Sequence, residues 1–490
     1  MDQQKNKYLH SRYNPQSEAD RYISSLSLNE KIRFCILIEP GLGYMIKPLR
    51  KKCPKAKIIS LHVEEFTVQA PALGKISGKP SRADSEWRAG IGTTVQDFLE
   101  KEIPDTQADE IKILEWRPAL NVYGRQYLSL IEEAVSFIKR ADANSRTVKV
   151  FGRRWFKNFL KNTAYIQKVL CPAQLSTPLL VTGAGPGLES AIPFIQDKSL
   201  NSGLFVIAAA SSLKCLKTGN ITPNLVISTD GGNWAALHLY ECFRSMDNEQ
   251  SSPSFNIAVS MTAALPSQCE KLAILPISDG SLWQTLVLSK LNIPFITLPQ
   301  RGTVSASALD LAFSLTKGDI FIAGMDLENS DIRSHARPYS FDRLLEEKAQ
   351  RFNPVYSQCF KRSSLLKDGG SYGIYASWFK NHLNSYPRQP VSAGKNNPVF
   401  NSGGIPKDTV PKGGTDNKVA AVAFKTIPLK QAAKSSHEAA EVLINALNEP
   451  GKFSANLFGE LKDLLFPGKS ETTKKALIDL ISSIGGKRGR

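Results

Sequence analysis

The chain has 490 residues, 42% hydrophobic and 22% charged, as expected of a soluble globular protein. At about 150 residues per domain the length accommodates two to four domains, and no apolar run approaches the roughly 20 residues of a membrane span. With 62 basic and 45 acidic residues the formal charge is +17, which favours anionic partners such as nucleotides, nucleic acid, acidic proteins or lipid headgroups. The basic residues are spread along the chain, and no zinc finger, RNP motif or basic-region helix stands out, so no nucleic-acid partner is expected. The polar start MDQQKNKYLHSRYN is unlike a secretory signal, so the expected location is cytoplasmic. Seven cysteines are scattered singly with no CxxC pair, which supports neither a zinc site nor a redox motif and fits a reducing compartment.

In chain order, IRFCILIEPGLGYMIKPLRKKCPKAKIISLHVEE reads strand, glycine turn, helix, strand, within an N-terminal α/β domain over 1–125. Met45, Ile46 and Leu49 form the apolar helix face and Lys47, Arg50 and Lys51 the polar one. Glu64 and Glu65 follow the second strand. Ile46 replaces the third glycine of GxGxxG, so a βαβ unit without a ligand and half of a nucleotide site are both open. Over 126–172 a helical connector is expected, with Leu128, Ile131, Ala134, Val135 and Ile138 at helical spacing. After a short break, FGRRWFKNFLKNTAYIQKVL places Asn158 and Asn162 one turn apart on one face, to bond a neighbouring loop or touch a ligand.

The segment 173–415 is read as the central domain. PLLVTG, LFVIAAA, NLVIST, FNIAVS, LAILPI, PFITLP and DIFIAGMD are continuous apolar strands, several of them separated by helix-like segments or loops. This pattern predicts a mostly parallel, Rossmann-like sheet with helices on both faces, whose ligands sit at the carboxyl ends of the strands. The residues there are Gly183, Gly185, Pro186 and Gly187, then Ser211, Asp230, and Gly302, Thr303 and Ser305 before a helix, then Asp326. The glycines make either a phosphate cradle at a helix start or a tight turn, and Pro193 falls in the first turns of that helix. Asp230 before two glycines is a ribose or metal ligand or a turn former. The following loop, SHARPYSFD, carries His335, Arg337 and Tyr339, and His335 is either a general base or an ordinary surface histidine. SAGKNNPVFNSGGIPKDTVPKGGTDNK reads as loop, and helical periodicity returns in a C-terminal helical domain over 416–490, with a solvated GGKRGR tail.

Taken in order, GRRWFKNFLKN, GAGPGLES, PNLVISTD, GTVSASALDLAFSL and AGMDL resemble the motility-associated factor (Maf) proteins, flagellin glycosyltransferases of flagellated bacteria. Their central domain is shared with an archaeal hydroxymethylpterin diphosphokinase, the MptE-like type, and is similar to Rossmann-like bacterial sialyltransferases. EPGLGY and NPVFNSGGI also resemble family segments, so the resemblance covers about 30–410. It implies transfer of a nonulosonic, sialic-acid-like sugar from a CMP-activated donor to Ser or Thr of flagellin, in support of motility. By motif, Gly183, Gly185, Pro186 and Gly187 would line the nucleotide phosphate, and Asp230 would sit near nucleotide or sugar. Gly302, Thr303 and Ser305 would complete the donor pocket and Asp326 its rim; Ser211, Asn158 and Asn162 join the binding set. Two departures stand out: Gly187 where the family has serine in GxGPSL, and Met325 where it has glutamine in GQDL.

In such a transfer His335 would accept the acceptor's proton and Tyr339 would donate to the leaving phosphate. No DxD pair stands at a strand end, so metal-independent transfer without a cofactor is expected. Two alternatives differ in class. One is an ATP-dependent pterin diphosphokinase with Mg²⁺ on Asp230 and Asp326. The other is a non-catalytic flagellin-binding assembly factor.

Overall fold

The computed structural model describes residues 8–64, 81–104, 109–172, 174–175, 177–201, 204–244, 255–328, 331–367, 371–383, 386–393, 397, 399–401, 424–429, 436–469 and 471–486. The chain divides into two compact units, Met1–Gly152 with Asp463–Glu471, and Arg153–Lys462 with Thr472–Arg490.

The first unit is built on a parallel four-stranded sheet in the order β3-β2-β1-β4. Strands β1 (Phe34–Ile38), β2 (Lys57–His62), β3 (Ser85–Arg88) and β4 (Ile111–Glu115) follow the chain. Every residue of β1 is buried, as a continuous apolar strand in the middle of a parallel sheet requires. The strand–turn–helix–strand reading holds: α2 (Ile46–Lys52) follows the glycine turn, buries Ile46 and Leu49 and ends in Arg50, Lys51 and Lys52. Those cations lie at the negative end of the helix dipole. Glu64 is exposed, and Glu65 lies outside the described residues.

The helix α5 (Arg125–Tyr165) is continuous over 41 residues. The short break expected before FGRRWF is absent. Within the helix Gly152 permits a close backbone approach, since a Cβ there would clash with the Leu464 carbonyl oxygen.

The second unit carries a ten-stranded sheet in the order β13-β12-β6-β7-β8-β9-β10-β5-β14, with β11 pairing β10. The seven apolar runs become β6 (Leu179–Thr182), β7 (Phe205–Ala209), β8 (Leu225–Ser228), β9 (Asn256–Ser260), β10 (Ala273–Ser278), β11 (Ile296–Thr297) and β12 (Ile320–Ala323). Like β3 and β4 of the first unit, three strands of this sheet escaped the sequence reading: β5 (Lys168–Pro172), β13 (Val391–Ser392) and β14 (Phe424–Pro428). Pairing defines them, because β5 lies between β10 and the antiparallel β14, and β13 adds two residues beside β12. The stretch 168–172 is therefore strand and not part of a helical connector. The C-terminal segments Ser436–Asn448, Lys452–Leu465 and Lys474–Gly486 are helical, as expected. Most of the predicted 392–418 loop and the last four residues lie outside the described residues.

Helix α10 (Val304–Leu315) packs against the sheet through buried Ala306, Ala308, Leu309, Leu311, Ala312 and Leu315. Its small residues let the helix backbone sit close to β6 and β7. No helix among the described residues is long and apolar enough to cross a membrane.

The topology fixes one place on the second sheet. From β6 the chain steps outward through β7, β8, β9 and β10, then returns to the other side of β6 as β12. Parallel sheets bind ligands at the carboxyl ends of the strands where the order reverses in this way. Here that point lies between the turn after β6 and the turn after β12.

Candidate functional site at the reversal of strand order

The two turns are in backbone contact. Gly183 N–H donates to the Ala323 carbonyl at 2.8 Å and Gly185 N–H to the Gly324 carbonyl at 2.7 Å. Gly324 adopts φ +65°, and a Cβ on it would meet the Gly183 carbonyl oxygen at 2.6 Å. Glycine is needed on both sides for that approach. Met325 is buried in the sheet core, which accounts for an apolar residue there.

Helix α6 (Gly187–Asn201) starts at the turn. Its first amide, Gly187 N–H, donates to Asp326 Oδ2 at 2.6 Å, and the amides of Leu188 and Glu189 donate to the carbonyls of Gly185 and Pro186. The sequence reading aimed these amides at a phosphate; in the structure the negative charge at the helix start comes from Asp326 itself. Such a carboxylate satisfies an orphan N–H and the helix dipole together. Burial pushes the Asp326 carboxyl up, the Gly187 bond pulls it back, and Glu328 raises it further. Pro193 lies inside α6, in its second turn.

The loop after β12 folds over this turn. Ala336 N–H donates to the Ala184 carbonyl at 2.8 Å. Glu189 accepts two bonds from Arg333 Nη1 at 3.0 and 3.1 Å and one from Arg337 N–H at 2.8 Å. His335 then stacks on Tyr339 with ring centroids 4.1 Å apart and planes 17° apart, and its Nδ1 lies 2.8 Å from Ser334 Oγ. His238 of α8 (Ala236–Arg244) faces Tyr339 at 5.4 Å and Phe341 at 4.8 Å. Burial lowers His335 to about 3, helped by Arg362 and His238, and lowers His238 to about 4, helped by Arg362. Burial pushes Tyr339 up to about 12 against the opposing pull of Arg362, so its phenol keeps its proton.

Two helices complete the surround. Helix α12 (Val355–Lys367) brings Arg362 onto the Tyr339 hydroxyl. Helix α13 (Ser371–His382) carries Tyr372 and Tyr375, three apart and so on one face. Tyr372 donates to the Ser334 carbonyl at 2.9 Å and feels the charge of Asp326; Tyr375 feels that of Asp230. His238, Arg362, Tyr372 and Tyr375 were not singled out from the sequence. SYGIYASWF offered a signal for the tyrosines, whereas Arg362 lies in a helix, Val355–Lys367, that the sequence reading did not assign.

The other strand ends carry the remaining sequence candidates. Asp230 is exposed and closes its own turn, accepting Gly232 N–H at 2.7 Å. Asn158 donates to the carbonyls of Gly231 and Thr262 at 3.1 and 3.0 Å, and buried Asn162 to those of Met261 and Ala263 at 3.0 and 2.8 Å. These amides therefore hold the loops after β8 and β9. Ser211 is half-buried in a single 3-10 turn after β7, next to Ser212, whose Oγ lies 3.0 Å from that of Thr182. Gly302 takes φ +73° and Thr303 caps α10, accepting Ala306 N–H at 3.0 Å; Ser305 lies in the first turn. Beside them the buried Asp310 carboxylate accepts Arg301 Nε at 2.7 Å and Tyr386 Oη at 2.9 Å. Asn397 of the NPVF segment donates to the Met325 carbonyl at 3.2 Å.

An α/β domain with polar and aromatic groups gathered at its reversal point is the class defined by fold and site, and residues 154–331 match the 6-hydroxymethylpterin diphosphokinase MptE-like family. Over 96% of its length the chain is similar in fold to the MAf glycosyltransferase from Magnetospirillum magneticum AMB-1, covering 78% of that chain at 12% identity and a TM-score of 0.50. Two uncharacterized proteins of Treponema pallidum (strain Nichols) are similar in sequence, at 27% identity over 294 residues and 24% over 196. The matches cover 58% and 38% of this chain, and 60% and 66% of those relatives.

Proposed function

We propose that the chain is a glycosyltransferase that moves a nonulosonic acid from a CMP-activated donor onto Ser or Thr of flagellin. The observation that carries this reading is the stack of His335 on Tyr339 at the strand-order reversal, in a chain with the fold of a MAf glycosyltransferase. In the reaction the acceptor oxygen bonds to the anomeric carbon, the bond from that carbon to the CMP phosphate oxygen breaks, and the phosphate keeps the electron pair. Tyr339, protonated at neutral pH, donates a hydrogen bond to the leaving phosphate. His335 is neutral at neutral pH, the state in which it accepts the hydroxyl proton; an anionic donor alongside raises its basicity. Gly183, Gly185, Pro186, Gly187, Ser211, Asp230, Gly302, Thr303, Ser305 and Asp326 form the walls of the donor pocket, with Asn158 and Asn162 holding its loops. Transfer proceeds without a cofactor or metal, in the cytoplasm.

The test is the intact mass of flagellin incubated with purified protein and CMP-nonulosonic acid. A mass gain of one sugar residue per site is expected, unchanged by EDTA and abolished in His335→Ala. An unmodified flagellin overturns the reading. The MptE-like match favours a second one, an ATP-dependent pterin diphosphokinase with Mg²⁺ on Asp230 and Asp326; it predicts binding of ATP and not CMP. Binding of neither nucleotide leaves a flagellin-binding assembly factor.

A further inference from the structure

We propose that Arg362 is the oxyanion-recognition residue of this site, taking the phosphate or the carboxylate of the bound substrate. The proposal rests on reading the strand-order reversal as the substrate pocket. Arg362 is half-buried on α12, and the groups around it are the Tyr339 hydroxyl, His238, His335 and Tyr372. None of these is an acid. The helix is fixed against the same loop one turn earlier, where Cys359 Sγ accepts Arg337 Nη2 at 3.8 Å.

The neighbouring charges are paired with each other. Arg333 holds Glu189, Arg337 lies 3.9 Å from Asp342, Arg301 holds Asp310, and Asp326 accepts the Gly187 amide. Asp342 also accepts Tyr339 N–H at 2.8 Å. Among the described residues Arg362 alone of these cations forms no ion pair. A guanidinium withdrawn from water without a carboxylate is unfavourable. An oxyanion brought in by a ligand removes that cost. The planar five-donor fork matches phosphate and carboxylate in two-point contact. The surrounding groups reinforce the choice, because protonated phenols donate to an anion and neutral imidazoles do not compete for one. The buried Ser340 hydroxyl, with no partner in the described structure, lies beside Tyr339 on the same loop.

The experiment titrates the full chain with inorganic phosphate and, separately, with N-acetylneuraminate at constant ionic strength, and follows binding by calorimetry. Wild type is expected to saturate with at least one of them. Arg362→Gln is expected to lose at least tenfold in affinity for that anion, and Arg362→Lys, which keeps the charge but not the fork, to fall between. The anion whose affinity drops identifies the source, nucleotide phosphate or sugar carboxylate. Wild-type affinity in both variants, or no saturable binding to wild type, overturns the assignment. Failure of the transferase reading is distinguishable: anion binding through Arg362 with flagellin unmodified rejects transfer and keeps Arg362. Transfer by Arg362→Gln at wild-type kcat/KM rejects Arg362 and keeps transfer.

Discussion

The Gly187 amide donates to the Asp326 carboxylate at 2.6 Å, although 139 residues separate the two in the chain. This bond ties the turn after β6 to the turn after β12 across the place where the strand order reverses. It also explains the glycine, because a Cβ at position 187 would lie 2.4 Å from Asp326 Oδ1. Gly187→Ala is expected to cost about 1–3 kcal/mol of stability, the usual range for overpacking. In an Asp326→Ala background the same change is expected to cost less, with a coupling of about 1 kcal/mol in a double-mutant cycle. Additive urea midpoints would show that the two residues do not restrain one another.

Asn162 and Asn158 separate architecture from ligand contact. Asn162→Ala strands two carbonyl groups in a buried setting and is expected to lose about 2–3 kcal/mol. Half-buried Asn158→Ala is expected to lose about 1 kcal/mol. Thermal unfolding measures both. Donor affinity within twofold of wild type for Asn158→Ala is the companion expectation; a tenfold loss with an unchanged melting temperature would assign that amide to the ligand.

The Asp310 carboxylate depends on Arg301 and Tyr386. Arg301→Ala leaves it buried and unpaired and is expected to cost about 3–5 kcal/mol. Tyr386→Phe removes one hydrogen bond, for about 1 kcal/mol. Replacing both charges, as in Arg301→Met with Asp310→Leu, is expected to recover part of the larger loss. Equal destabilisation by the single and double variants in a denaturant series would refute the argument.

Acid sensitivity follows from three histidines. Burial lowers His10 and His238 to about 4 and His335 to about 3. Each folded-state value lies below the unfolded one, so on acidification the unfolded chain takes up the proton first. Their contribution is complete above about pH 6.5 and falls as the pH drops toward the folded values, by up to about 1.4 kcal/mol per pH unit for each. The urea midpoint is expected to fall between pH 7 and pH 4.5, and less steeply in His335→Gln. Parallel pH profiles for wild type and variant would count against a buried neutral His335.

By itself the sequence determined the strands that are apolar along their whole length, because a strand covered on both faces needs no partner information to be recognised. It marked the turns at Gly302–Thr303 and Asp230–Gly231, which act within a few residues of themselves, but left open whether Asp230 closes its turn or meets a ligand. The candidate site was legible as far as the strand ends, since parallel sheets present ligands there. Tertiary structure decided what is defined by pairing. The five residues of β5 and the two of β13 carry too little periodicity to declare themselves, and the reason for a glycine at position 152 is not visible until Leu464 is placed beside it. It also decided the charge at the start of α6. The glycine turn leaves a phosphate cradle and a plain tight turn both open. That the anion is Asp326, and that Arg362 comes to Tyr339 and His335 without a carboxylate of its own, depends on contacts between residues far apart in the chain.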